Sequence, residues 1–263
     1  MKLNKQSVVA VARKLHLLPL LEKLRLLQKI LKVHKENREY LKGRAKQSYP
    51  PYSLMYDAYS HCSFDRYDKS GLRDAKMITR IIRKYVSGDQ LVVCEFGCGP
   101  ARIVRHLRSA DAGIAKLIGT DYNAKTIRWC KAAVPEIVFI QNELAPPFDL
   151  PDHSLDVLYC VSVFTHLSEE MHFEWIREIR RVLKPGGLFI GTFHGEKSFN
   201  RLLPYEQARY LRGELVSRGN VKEGSRIYTA YQSDKFLSEK LLADFDFIEK
   251  QDLKFSQSIW AAR

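Results

Sequence analysis

Residues 72–263 read as an α/β domain with a parallel central sheet. A basic helical arm (1–46) and a Tyr- and Pro-rich connector (47–71) precede it. Three observations carry that reading. Apolar runs of strand length alternate with amphipathic stretches from Leu72 to Phe193, the order that folds into right-handed βαβ crossovers. The run Leu91–Phe96 passes straight into the turn Gly97-Cys98-Gly99, as a buried parallel strand does where a ligand lies over the sheet edge. Charge is segregated: residues 1–46 hold 13 Lys or Arg against 3 Glu, whereas the other 217 residues hold 30 basic and 27 acidic groups.

In the arm, about residues 5–46, Leu17, Leu20, Leu21, Leu24, Leu27 and Leu31 recur at i+3/i+4 spacing, with charged residues off that line. The spacing predicts a helix, and Pro19 is expected to divide it. Leu26, Ile30 and Val33 widen its apolar side. Three roles stay open: a cover for the body or a partner subunit, a segment lying on an anionic bilayer, and a nucleic-acid contact. The basic run lacks interleaved aromatic residues, which disfavours nucleic acid.

The connector is expected to lie over a ligand mouth, with two roles open for each of Tyr56, Tyr59 and Phe64: bordering a substrate pocket, or simple packing, which is favoured. A helix follows over Leu72–Val86, with Ile78, Ile81, Ile82 and Tyr85 inward and Ser87-Gly88-Asp89 as its stop. After the glycine turn a helix is expected over 100–109, with Pro100 at its first position. Then come a strand at Ala115–Gly119, a helix capped by Asn123, and strands at Ile137–Ile140 and Leu155–Val161. Ser168 caps the next helix, and Glu169 and Glu170 in its first turn suit the helix dipole. Lys184-Pro185-Gly186-Gly187 ends that helix before a strand at Leu188–Phe193. The tail reads as a helix over 204–217, a polar loop to Arg226, an extended piece at 227–231 and a helix at 233–243. A hairpin of Phe245–Gln251 with Phe255–Ala262 closes the chain.

Gly97 and Gly99 let backbone approach a ligand closely. A pyrophosphate is poorly served, because Arg102 occupies the third glycine place and Pro100 removes an N–H. An adenosine bearing an amino-acid tail fits better, since Glu95 can receive an ammonium at the strand end. The five cysteines form no CxxC pair, which points to reduced, buried thiols of a cytosolic protein without a zinc site. No run of 18 apolar residues occurs, so no membrane span is expected, and Ser7–Ala12 is too short for a signal sequence.

Four stretches, in this order and spacing, resemble class I S-adenosylmethionine-dependent methyltransferases over about 73–193. They are Glu95-Phe-Gly-Cys-Gly-Pro-Ala-Arg102, Gly119-Thr-Asp-Tyr-Asn123, Leu155-Asp-Val-Leu-Tyr159 and Leu183-Lys-Pro-Gly-Gly-Leu188. The resemblance implies a Rossmann-like, seven-stranded, mostly parallel sheet of order 3-2-1-4-5-7-6, with S-adenosylmethionine across the carboxyl ends of its first strands. It implies that Gly97, Cys98 and Gly99 meet the methionine portion and that Glu95 faces its polar end. Asp121 accepts the ribose hydroxyls, Tyr122 flanks the adenine, and Asn142 or Glu143 takes the adenine amino group. Cys160, at the end of the fourth strand, completes the cofactor set. Ala101 stands where the family has a third glycine.

For a hydroxyl acceptor a general base is needed, and His suits neutral pH. His166, just past the fourth strand, is the candidate, followed by His194 and then by His61 and Asp65. The competing role for His166 is to orient the Ser168 helix or to pack on Trp175. The phrase Tyr159–Leu167 is similar to methyltransferases found with glycosyltransferases in polysaccharide synthesis. That similarity implies a sugar or glycan hydroxyl, or another small molecule, as acceptor. It also implies a cytoplasmic protein, peripheral at the inner membrane face if the arm binds lipid. Two other classes compete: an RNA or protein methyltransferase, and a non-catalytic cofactor-binding subunit. Cys160-Val-Ser-Val, in place of an Asn-Pro-Pro-Tyr signature, counts against the first. The intact glycine turn and Asp121 count against the second.

Overall fold

The computed structural model describes residues 18–44, 48–219, 221–253 and 257–263. Five strands pair in parallel: β1 (Leu91–Phe96), β2 (Ile114–Asp121), β3 (Val138–Gln141), β4 (Leu155–Cys160) and β5 (Leu183–His194). Two short strands, β6 (Val216–Arg218) and β7 (Thr229–Tyr231), pair only with each other. The last two, β8 (Phe247–Asp252) and β9 (Gln257–Ala262), complete the main sheet antiparallel, with β9 against β5. The resulting order, β3-β2-β1-β4-β5-β9-β8, is the expected 3-2-1-4-5-7-6 once the small hairpin is set aside.

Eight helices surround it among the described residues: α1 (Leu18–Leu41), α2 (Tyr52–Tyr59), α3 (Phe64–Tyr85), α4 (Val104–Ala110), α5 (Ala124–Ala133), α6 (Glu169–Val182), α7 (Pro204–Leu211) and α8 (Asp234–Phe236). The last continues as a π-turn over Leu237–Leu241. Alternate residues of β1 and β4 serve opposite faces of the sheet. Val93, Val157 and Tyr159 pack with Ile78, Ile82, Val104 and Leu107, while Cys94, Phe96, Leu158 and Cys160 pack with Trp175, Ile176 and Ile179. Each fully buried Ile, Val or Phe contributes about 1.5–3 kcal/mol over exposure. The doubly covered strands therefore set the register. Asn123 caps α5 by accepting from Lys125 and Thr126 N–H, and Ser168 caps α6 by accepting from Met171 N–H, both as expected.

Several boundaries differ from the sequence reading. Helix α3 begins at Phe64, not Leu72, because Ser63 caps it by accepting from Arg66 N–H at 3.2 Å. Gly71, the last residue of the expected connector, lies inside this helix, where a Cβ would stand 2.1 Å from the Arg102 carbonyl oxygen. Helix α4 starts at Val104 rather than Pro100. Glu95 accepts from Val104 N–H at 3.0 Å and so sets the start from the neighbouring strand. Residues 97–103 form a turn instead, with positive φ at Gly97, Gly99 and Ala101. Helix α7 stops at Leu211, and Gly213 (φ 74°) leads into β6, so the single helix expected over 204–217 is a helix and a strand. Pro19 lies in the first turn of α1, where proline is tolerated, and α1 runs unbroken to Leu41; any division before Leu18 falls outside the described residues.

Candidate active site

The carboxyl ends of β1, β2, β4 and β5 open into one cavity of about 1090 Å³. Its floor is the glycine turn. Gly97 (φ 70°) and Gly99 (φ 50°) both occupy the left-handed region, so glycine is favoured here by conformation alone. A Cβ on Gly97 would lie 2.4 Å from a Val163 methyl, and one on Gly99 would lie 3.1 Å from Ala58 Cβ and from the Tyr59 hydroxyl. The bare backbone thus admits protein neighbours as well as leaving room beside them. Ala101, the third-glycine position, adopts φ 55° and is fully buried.

Asp121 ends β2 on the cavity wall. Its Oδ2 accepts from Gly99 N–H at 2.9 Å and its Oδ1 from Asn123 N–H at 2.8 Å. Each oxygen keeps a lone pair for a ligand hydroxyl, as a paired ribose diol requires. Burial pushes the carboxyl up to about 6, opposed by the two backbone donors. Glu95 also lines the cavity but is 3% exposed and caps α4. Burial raises it to about 8, against the pull of the Tyr159 hydroxyl and the Arg102 guanidinium. Such a carboxyl gains a partner when a cation arrives.

Asn142 is buried, and its amide donates to the Glu143 carbonyl at 2.6 Å. Its Oδ1 has no hydrogen-bond partner among the described residues. An orphaned amide oxygen on the cavity wall suits an adenine amino group. Glu143 lines the cavity beside it. Tyr122 lines the same end and donates its hydroxyl to the Gly224 carbonyl at 3.1 Å. Diol acceptor, orphaned amide, aromatic wall and buried carboxyl together fit an adenosine with a cationic amino-acid tail. Cys98 joins this lining; Cys160 does not. Cys160 shares the sheet face of Leu158 and is buried against the α6 side of the core.

The histidines line the same cavity, and the His166 carbonyl accepts from the N–H of Gly224, whose own carbonyl accepts from Tyr122. His166 follows β4 on a short 3-10 turn, and its Nδ1 lies 2.7 Å from the Tyr228 carbonyl oxygen. His194 ends β5 with Nδ1 2.8 Å from the Ala230 carbonyl oxygen and its ring stacked on Tyr231 at 4.9 Å. A carbonyl only accepts, so Nδ1 carries the proton in both rings and Nε2 holds a free lone pair. Burial lowers His166, countered by the Tyr228 carbonyl and by Asp57, and it lowers His194 to about 4. The competing role of orienting the Ser168 helix falls to other groups: His172 Nδ1 bonds the Ser168 carbonyl, and Glu223 accepts from Ser168 N–H. Ser162, Thr229, Tyr231 and Gln257 supply hydroxyl and amide groups around these rings. Ser162 follows β4, whereas the positions of Thr229, Tyr231 and Gln257 come from tertiary pairing of β7 and β9, which short polar stretches do not announce.

The connector closes the mouth. Asp57, Tyr59, His61 and Asp65 line the cavity, whereas Tyr56 and Phe64 do not. Phe64 stacks on Tyr49 at 4.5 Å in a satellite cluster with Met55 and Tyr67. Burial lowers His61 to about 4. Tyr56 donates to Glu22 of α1 at 2.8 Å, and Glu22 also pairs with Arg226, whose guanidinium lies 4.4 Å over the Tyr56 ring. Arm, connector and the loop before β7 are thereby joined at the rim.

Residues 94–191 match the family described as methyltransferase domain. A probable methyltransferase, ltbC, of Aspergillus luteorubrus is 30% identical over 108 residues, covering 36% of this chain and 37% of that protein. A probable S-adenosylmethionine-dependent methyltransferase of Mycolicibacterium smegmatis is 36% identical over 101 residues, covering 37% and 36%. The match thus spans little more than a third of each relative. Among solved structures, a methyltransferase of Methanosarcina mazei aligns with a TM-score of 0.52 at 22% identity, over 69% of this chain and 95% of that one, a likeness of fold. Residues 94–191, which hold the glycine turn and Asp121, are thus similar to S-adenosylmethionine-dependent methyltransferases, and the strand order is the one that the resemblance implied.

Proposed function

We propose that this protein transfers a methyl group from S-adenosylmethionine to a hydroxyl of a sugar, glycan or other small molecule, with His166 as general base. When bound, S-adenosylmethionine supplies a methyl already activated on sulfur, so the protein's work is to align the acceptor and take its proton. One observation carries the reading. His166 is held by the Tyr228 carbonyl in the tautomer whose Nε2 accepts a proton, on the wall of the cavity that Glu95, Asp121 and Asn142 also line. The Tyr228 carbonyl and nearby Asp57 would steady the imidazolium once formed. Glu95, Asp121 and Asn142 would hold the donor's ammonium, diol and adenine. The ring of hydroxyl and amide groups at Ser162, Thr229, Tyr231 and Gln257 favours a hydroxyl-rich acceptor. His194, in the same tautomer, is the second base.

The test is incubation with methyl-labelled cofactor and separated pools of sugars, lipid-linked glycans, RNA and protein. Label in a glycan or small-molecule pool supports the reading, and label confined to RNA or protein rejects it. His166→Ala should then lower turnover by roughly 10² with cofactor affinity unchanged. Near-normal turnover would hand the proton to another group.

A further inference from the structure

Helix α1 uses its two sides differently. The inner side carries Glu22, Leu26, Ile30, Val33, Asn37 and Tyr40, all at least partly buried. Asn37 is the anchor: its amide donates to the Cys62 carbonyl at 2.8 Å, and its carbonyl accepts from Phe64 N–H at 2.9 Å. The outer side carries Leu20, Leu24, Leu27 and Leu31, which are 59%, 51%, 54% and 70% exposed. Lys23, Lys32 and Lys35 lie to either side of that stripe and have no ion-pair partner among the described residues.

We infer that this leucine face lies on an anionic lipid bilayer, the leucines entering the headgroup boundary and the lysines meeting the anionic headgroups. Four aligned leucines left in water are an unusual expense for a folded surface, so the stripe calls for a covering phase. The helix cannot roll to bury them against the body. Asn37 fixes one end, and Glu22, held by Tyr56 and Arg226, fixes the other. The spacing 20, 24, 27, 31 would also seat a coiled-coil partner, but residues 1–46 carry 13 Lys or Arg against 3 Glu. A second copy would bring like charge to like charge, whereas an anionic lipid surface neutralises it. An amphipathic helix with leucine on one face and lysine beside it is the form that rests in a membrane interface. Among the described residues no helix is long and apolar enough to cross one.

The full chain is sedimented with phosphatidylcholine vesicles, with and without phosphatidylglycerol. Binding should appear only with the anionic lipid. Leu24→Ser, Leu27→Ser and Leu31→Ser combined should lower the partition coefficient at least about tenfold. Lys23→Gln, Lys32→Gln and Lys35→Gln should lower it about fivefold per removed charge. Calorimetric cofactor binding should stay unchanged in both variants, which shows that the body remains folded. Equal partitioning of the wild type and the leucine variant would overturn the inference. So would a lipid-free dimer that the leucine variant dissociates, since a second copy would then cover the stripe.

Discussion

Replacing Asp121 by Ala should weaken S-adenosylmethionine binding and destabilise the free protein at once. The carboxylate serves two backbone donors, Gly99 N–H at 2.9 Å and Asn123 N–H at 2.8 Å, and retains two lone pairs toward the cavity. Losing charge-assisted bonds to a ribose diol costs about 1.5–3 kcal/mol, roughly 10- to 100-fold in Kd. Each backbone N–H left without an acceptor costs about 1–3 kcal/mol unless water replaces the carboxylate. Thermal unfolding of the free variant should therefore shift downward by several degrees. Titration calorimetry reads the affinity, and Asn123→Ala separates the two effects. That variant removes only the cap of α5, which accepts from Lys125 and Thr126 N–H, at about 1 kcal/mol of stability. It should leave affinity within about twofold. Unchanged affinity in Asp121→Ala would remove the aspartate from the site. An equal loss in Asn123→Ala would make the effect one of folding.

Three further outcomes follow from buried groups. Burial holds Glu95 near 8, so below that pH the free protein keeps a proton there that a cationic ligand displaces. Cofactor affinity should rise between about pH 6 and 8, by at most about tenfold per pH unit; calorimetry in buffers of different ionisation enthalpy should show proton release, and its absence would refute the assignment. His172 and His194 are both lowered to about 4 by burial, so the unfolded chain takes up protons that the native rings refuse. Their contribution to stability should be complete above pH 6.5 and disappear as pH falls toward 4, which urea midpoints across that range would measure. Gly71→Ala should destabilise by about 1–3 kcal/mol through overpacking against the Arg102 carbonyl, although the same change in an open helix would stabilise. A raised melting temperature would mean that α3 does not press on the glycine turn.

The central sheet was readable because its strands are buried on both faces, and burial on both faces writes an unbroken apolar run such as Leu91–Phe96 into the chain. The caps at Asn123 and Ser168 were readable for a similar reason: each acts on N–H groups two or three residues ahead. Boundaries set across space were not. Val104 starts a helix because a carboxylate nine residues earlier, on the neighbouring strand, meets its N–H. Gly71 sits in a helix because a carbonyl 31 residues later leaves no room for a methyl. Nothing local distinguishes such a glycine from a breaker.

The same division runs through the site. Residues at strand ends, Glu95, Asp121 and Asn142, could be placed from motif spacing, because a parallel sheet brings the carboxyl ends of its strands to one rim whatever the loops do. Cys160, at the end of the same kind of strand, faces the core and not the rim, because the two-residue alternation turns its side chain that way. The acceptor end depends on pairings far apart in the chain. On the proposed reading His166 and His194 act as bases through the carbonyls of Tyr228 and Ala230, which fix their tautomers, and Ala230 lies on the strand Thr229–Tyr231 that pairs with Val216–Arg218. A cofactor seat built from consecutive strand ends and an acceptor seat built from a late hairpin can change independently. Substitutions in residues 216–231 should therefore redirect the choice of acceptor while leaving the hold on S-adenosylmethionine intact.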